Sequence, residues 1–307
     1  MPQNFKGSEV LRTPDERFAN LPGFPFTPFY LDALPSFSGL RMHYLNENPE
    51  GRYTFLCLHG EPTWSYLYRR MIPIFTEAGH QVVAPDFFGF GRSDKPEEDS
   101  LYTFDFHRQS LIEFITALDL KNIVMVCQDW GGVLGLTLPM DMPERFVGLF
   151  VMDTLIGNGE GIPQSFFDWR NYMRSTPDLD CAKLLKRACA HLTDEEAVAY
   201  NAPFPDARYK AGVRRFPELV PDNPNAQGAD ISRRAEKWLN ENWSGKAVAV
   251  AGMQDPVLPP DMLRAIAANI KNCPPPLEVA EAGHFVQEWG VDFTRRALDI
   301  LDLPDFR

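Results

Sequence analysis

The chain has 307 residues, which at roughly 150 residues per domain allows two domains, or one large α/β domain carrying an insertion. Its composition, 44% hydrophobic, 23% charged and 12% aromatic, excludes a disordered chain and supplies enough apolar side chains for a large core. Thirty basic against forty-two acidic side chains give a net charge of −12, a field that repels phosphate backbones and anionic lipid, so neither nucleic acid nor a membrane surface is an expected partner.

The opening stretch MPQNFKGSEVLRTPDERF carries no apolar run of the signal-peptide kind, and no segment approaches the ~20 apolar residues that span a bilayer, so a cytoplasmic setting is expected. Short apolar runs bounded by turn residues fall at Tyr53–His59, Gln81–Phe87, Ile123–Asp129, Gly148–Asp153, Ala247–Gly252 and Leu277–Ala280, and they predict buried strands. Between them, Trp64–Ala78, Phe104–Leu118 and Gly131–Met140 have helical length and spacing. Alternating strand and helix predicts the α/β class, a mostly parallel sheet with helices on both faces. The alternation stops after Thr154 and resumes near Lys246, so the stretch between, rich in Pro, Trp and Arg, is expected to be a mainly helical insertion. Within it, Phe216–Ala229 (FPELVPDNPNAQGA) has the proline and asparagine content of a loop leading back to the sheet. The predicted organisation is a first core part over 1–154, a helical cap over 155–229, and a second core part over 230–307. Cys57, Cys127, Cys181, Cys189 and Cys273 show no CxxC spacing and are expected to be reduced packing residues.

The run IVMVCQDWGG puts Asp129 at the end of a predicted strand, with Gly131 and Gly132 opening a helix after it. That is the pattern of a nucleophile elbow, in which a sharp strand-to-helix turn pushes one side chain out at the carboxyl edge of the sheet. A carboxylate there is ionised at neutral pH and attacks an sp³ carbon without a partner base, whereas a serine would need one. The alternative role for Asp129 is as the N-cap of the following helix. Asp255 follows one late strand and His284 the next, which gives the order nucleophile, acid, histidine of α/β-hydrolase triads. The turn after LCLHG can aim the backbone N–H of Glu61 at the site, with the Trp130 N–H as a second oxyanion donor. His59 is taken as a structural support of that turn.

The segments HGEPTWSYLYRRMIP, PDFFGFGRSDKP, QDWGG, YNAPFPD, RFPELVP and AGHFVQE together resemble the haloalkane dehalogenases, over nearly the whole chain. The resemblance implies an α/β-hydrolase fold with a helical cap inserted after the sixth strand, and a triad of Asp129 (nucleophile), His284 (base) and Asp255 (acid orienting the histidine). It also implies two halide-binding tryptophans, Trp130 and, in SFFDWRNY, Trp169, and often a cis bond before Pro62. The implied partners are a small haloalkane, water and the released halide, with no metal or organic cofactor, in a protein expected to be a monomer. Phe166, Phe167, Phe216, Pro217, Val220, Val257 and Leu258 are the candidate pocket walls, each with cap core as its alternative place. Epoxide hydrolase is the rival activity: it would share the Asp nucleophile but needs acidic hydroxyls, for which Tyr172, Tyr200 and Tyr209 are available. Fluoroacetate dehalogenases carry an arginine pair just past the nucleophile, where this chain has Trp130-Gly131-Gly132. A non-catalytic ligand receptor on this fold would be expected to have lost part of the triad.

Overall fold

The computed structural model describes residues 3–304. Its centre is an eight-stranded sheet of β1 (Phe29–Leu31), β2 (Met42–Glu47), β3 (Thr54–Leu58), β4 (Gln81–Pro85), β5 (Ile123–Gln128), β6 (Phe146–Met152), β7 (Lys246–Gly252) and β8 (Leu277–Val279). The spatial order is β8-β7-β6-β5-β3-β4-β2-β1. From β8 across to β4 every pairing is parallel, while β2 and β1 add on antiparallel at the far edge. The six predicted strands therefore lie where the apolar runs place them, each end within two residues of expectation. β1 and β2 were not predicted: β1 has three residues, and in β2 the sequence MHYLNE mixes buried and half-buried positions, the pattern of a strand near the edge. A small separate sheet of Gln3–Phe5, Ser8–Leu11 and Lys95–Pro96 was likewise too short to leave a periodic signal.

Successive strand residues feed opposite faces of the sheet. Phe55, Cys57, Val124, Val126, Phe150, Met152, Val248 and Val250 pack with Ile72 and Phe75 of α1 (Ile72–Glu77). Their intervening neighbours Leu56, Leu58, Met125, Cys127, Leu149 and Val151 pack on the other face with Leu111 and Phe114 of α2 (Phe104–Ala117) and Leu134 of α3 (Trp130–Gly135). Sheet residues buried on both faces explain why the strands appear as unbroken apolar runs instead of alternating ones. The helix predicted over Trp64–Ala78 is divided into a 3₁₀ turn at Ser65–Tyr68 and α1, because Pro73 is tolerated only in a first helical turn. The helix predicted to Met140 ends at Gly135: three glycines weaken it, and Pro139 steers the residue before it away from helical geometry.

Between Met152 and Lys246 the described chain contains no strand. It forms α4 (Gln164–Ser175), α5 (Cys181–Ala188), α6 (Asp194–Ala199), α7 (Ala211–Leu219) and α8 (Ala229–Glu241). The loop expected from Phe216 starts later, because α7 continues through Pro217 to Leu219. Arg170 of α4 supports this end by donating from Nε to the Pro217 carbonyl at 2.8 Å and from Nη2 to the Val220 carbonyl at 3.3 Å, satisfying acceptors that a helix terminus leaves open. The chain closes with α9 (Pro260–Asn269), β8 and α10 (Gly290–Leu301), whose Phe293 and Ala297 join the Phe55 face of the core.

Two groups of charges fasten α4–α7 to the rest. Arg69 grips Glu288 with both terminal nitrogens, at 2.6 and 2.8 Å, and also reaches Glu196 of α6 at 3.1 Å; the Tyr200 hydroxyl completes the cluster on Glu288. Arg214 of α7 makes a second fork on Asp99, at 2.6 and 3.1 Å. Planar guanidinium and carboxylate groups match in such forks, which fix orientation as well as distance. Among the described residues no helix is long and apolar enough to cross a membrane.

Candidate active site

In chain order the sheet grows from β3 to β4 on one side and then returns to place β5 on the other side of β3. A crevice opens outside the carboxyl ends of strands at such a reversal, and ligands of open α/β sheets bind there. Leu58 pairs with Cys127 at this edge, so the residues that follow, His59-Gly60-Glu61 and Gln128-Asp129, emerge side by side.

Asp129 sits at φ 49°, ψ −124°, a conformation that costs a non-glycine residue of order 1–3 kcal/mol. The turn is held by Asp129 N–H donating to the Asp153 carbonyl at 3.0 Å and the Thr154 hydroxyl donating to the Asp129 carbonyl at 2.7 Å. Gly60 and Gly132 are required by its tightness: a Cβ on Gly60 would stand 2.2 Å from Asp129 Oδ1, and one on Gly132 2.2 Å from the Thr154 hydroxyl oxygen. The carboxylate makes no N-cap bond to α3, which removes the capping role considered from the sequence. It accepts instead from the Glu61 N–H, at 2.7 Å to Oδ1. The Trp130 N–H is the first donor of α3 and has no carbonyl within the helix to bond. The peptide between Glu61 and Pro62 is cis.

His284 and Asp255 come to the same point from the loops after β8 and β7. His284 Nδ1 is 2.7 Å from Asp255 Oδ2, and its Nε2 is 3.5 Å from Asp129 Oδ2. Asp255 is fixed in turn by the N–H groups of Val257 and Leu258, both on Oδ1, at 2.8 and 3.0 Å. Burial alone would depress the His284 pKa, but the charge of Asp255 and the hydrogen bonds to Asp129 and Asp255 outweigh it and hold the imidazolium well above its ordinary range. His59 is a support, as expected: its Nε2 accepts from the Phe87 N–H at 3.0 Å, which leaves Nδ1 as the donor to the Gly60 carbonyl at 2.9 Å.

The sequence did not single out two buried neighbours. Gln128 donates to the His284 carbonyl at 3.0 Å. Asp153, at the end of β6, accepts from the Gly252 N–H, and burial together with the charge of Asp255 raises its pKa well above the carboxylate range. A polar residue directly before Asp129, and a carboxyl at a neighbouring strand end, were the available signals.

A cavity of about 290 Å³ opens against His284 and the Glu61 side chain. Burial first, and then the charge of Asp129, pushes the Glu61 carboxyl well above its usual pKa. Trp169 of α4 lines the cavity, as does Val257 of the expected walls. Leu184, Arg187 and Ala188, spaced along one face of α5, also line it and were missed. The remaining expected walls are placed otherwise. Phe216 is fully buried, stacked on Trp130 at 4.5 Å and 23°; Phe166 and Val220 are buried; Pro217 carries the carbonyl that Arg170 holds; Leu258 donates to Asp255; and Phe167 packs on Phe166. Trp130 is 2% exposed and is not part of the lining of that cavity among the described residues.

Residues 53–291 match the family described as the alpha/beta hydrolase fold. The haloalkane dehalogenase of Psychrobacter cryohalolentis is 40% identical over 286 residues, covering 91% of this chain and 93% of that one. Haloalkane dehalogenase 1 of Mycobacterium tuberculosis is 39% identical over 298 residues, covering 94% and 98%. The structure of haloalkane dehalogenase DpaA from Paraglaciecola agarilytica, described as tetrameric, superposes with a TM-score of 0.92 at 52% identity and covers 95% of this chain and 98% of that one. The chain belongs to the haloalkane dehalogenases of the α/β hydrolase fold, hydrolases that act on carbon–halogen bonds.

Proposed function

We propose that the hydrolysis runs in two chemical steps through an ester on Asp129. The observation that carries this reading is the unequal setting of the two carboxylate oxygens: Oδ1 is held by the Glu61 N–H, and Oδ2 faces His284. In the first step Oδ2 attacks the halogen-bearing carbon from the back, the carbon–halogen bond breaks, and the electron pair leaves with the halide. The developing negative charge is received by the indole N–H groups of Trp130 and Trp169, and rigid donors of this kind typically contribute ~2.7–4 kcal/mol each. In the second step His284, oriented by Asp255, takes a proton from water as the water oxygen bonds to the ester carbon. Oδ1 becomes the oxyanion under the N–H groups of Glu61 and Trp130. The ester bond to the alkyl oxygen then breaks, the proton returns from His284, and the alcohol leaves.

Residues 155–229 act in this reading as a cap over the crevice, between core parts 1–154 and 230–307, with Trp169 brought to the site from the first cap helix. The rival epoxide chemistry needs a hydroxyl acid above the nucleophile. No tyrosine lines the cavity among the described residues, and the Tyr200 hydroxyl is engaged by Glu288, which favours the dehalogenase reading. Purified protein is expected to release bromide from 1-bromobutane with or without EDTA and to leave styrene oxide unopened; diol without bromide would replace this reading by the rival one. The free, mostly buried cysteines accord with a cytoplasmic setting. The expected monomer would have a mass of 34.9 kDa, whereas the DpaA structure is described as tetrameric; a sedimentation mass of one or four chains decides between them.

Trp169→Phe tests the halide site, because it keeps an aromatic ring and removes only the donor. A lost hydrogen bond to a charged group costs ~1.5–3 kcal/mol, so bromide affinity, followed by fluorescence quenching, is expected to fall by about ten- to a hundredfold. Unchanged bromide binding and turnover in this variant would place the second halide ligand elsewhere.

A further inference from the structure

Gln128 ends β5 one residue before Asp129, is fully buried, and turns its side chain toward His284. Its Nε2 donates to the His284 carbonyl at 3.0 Å and stands 3.1 Å from the ring Nε2 of the same residue. An amide NH₂ carries two N–H donors, so one group serves both atoms. The carbonyl also decides which way the amide faces, since turning it over would set Oε1 against another acceptor. With the NH₂ fixed there, the ring atom opposite it is satisfied only as a lone pair. Gln128 Oε1, meanwhile, is buried with no hydrogen-bond partner. An acceptor is left unmatched while both donors of the amide are directed at His284.

The other groups around the ring pull in the opposite sense. Asp255 from the loop after β7 meets Nδ1, and Asp129 from the elbow faces Nε2. Asp153 at the end of β6 and Glu61 from the loop after β3 add two further acids, each with its pKa pushed up by burial. Carboxylates favour the imidazolium, while an N–H pointed at Nε2 favours the neutral ring.

We infer that Gln128 is a positioning residue for the hydrolytic step, holding the His284 ring through its carbonyl and its Nε2 so that the neutral base stands ready once Asp129 is esterified. This rests on the two-step reading above. Esterification removes the Asp129 charge that held a proton on Nε2, and the Gln128 N–H then opposes its return. The bond to the His284 carbonyl keeps the ring in place while the second N–H yields Nε2 to the incoming water proton. The water oxygen bonds to the ester carbon in the same event, and the proton later leaves with the alcohol.

The test is rapid mixing of enzyme with 1-bromobutane across pH, recording the bromide burst and the single-turnover formation of butanol. Gln128→Met removes both donors at similar length, and Gln128→Glu keeps the shape while replacing the donor fork by a carboxyl. With the burst as internal reference, the acid limb of butanol formation is expected to move to higher pH by about 0.5–1 unit in Gln128→Met, and further in Gln128→Glu. If Gln128→Met does not fold, the isosteric Gln128→Glu carries the test alone. Acid limbs that superimpose on the parent's while hydrolysis slows equally at every pH would reduce Gln128 to packing and overturn the inference. A parent enzyme without a bromide burst would instead overturn the two-step reading.

Discussion

His284→Phe is expected to stop the enzyme halfway. In the two-step route proposed above, the Asp129 carboxylate attacks without a partner base, whereas the ester it forms is hydrolysed only when a base takes a proton from water. His284 Nε2 is the ring nitrogen that faces Asp129, and its partner Asp255 holds Nδ1 at 2.7 Å, so removing the imidazole removes the proposed base and leaves the proposed nucleophile Asp129, the Glu61 N–H and the cavity in place. Phenylalanine is close in bulk to the ring it replaces, and volume-conserving changes are tolerated best. One equivalent of bromide should appear on mixing with 1-bromobutane, followed by turnover at least about 10⁴-fold below the parent. Intact mass spectrometry should find a single butyl adduct, and peptide mapping should put it on Asp129. A protein that stays unmodified, or an adduct on one of the cysteines, would contradict the mechanism. Cys57, Cys127, Cys181 and Cys189 are buried, and burial raises each of their pKa values, so adventitious alkylation there is disfavoured.

Legibility in the sequence followed the physics of each element. β5 and β7 are buried on both faces, so their residues have one apolar character and their ends are marked by the turn chemistry that also carries Asp129 and Asp255. β1 and β2 are antiparallel additions at the edge, where part of each strand meets solvent, and their mixed sequences lacked that signal. That Asp129, Asp255 and His284 would meet was legible because they follow strand ends in chain order, and strand ends are visible in sequence. The cavity wall was not. Which face of a helix among α4–α7 turns to the cavity depends on contacts such as Arg170 on the end of α7 or Arg69 on Glu196, which join residues distant in the chain. Phe216 carries the features of a pocket wall, yet its ring is spent on Trp130, Phe90 and His107. The spacing of Leu184, Arg187 and Ala188, i, i+3 and i+4, was the local signal for the face of α5 that does line the cavity. Gln128 differed again: it was noticed as part of QDWGG, but only the fold shows its amide against His284.

The central claim is that an oxygen of Asp129, and not of water, first bonds to the substrate carbon. A single turnover in H₂¹⁸O, with enzyme in excess over 1-bromobutane, measures this directly. The Oδ2 that attacks leaves with the alcohol, and the oxygen that water adds to the ester carbon stays behind. The account therefore predicts butanol carrying ordinary oxygen and one ¹⁸O in the peptide containing Asp129. Butanol labelled with ¹⁸O in that first turnover, with an unlabelled Asp129, would mean that water attacks the carbon–halogen bond directly and would contradict the account.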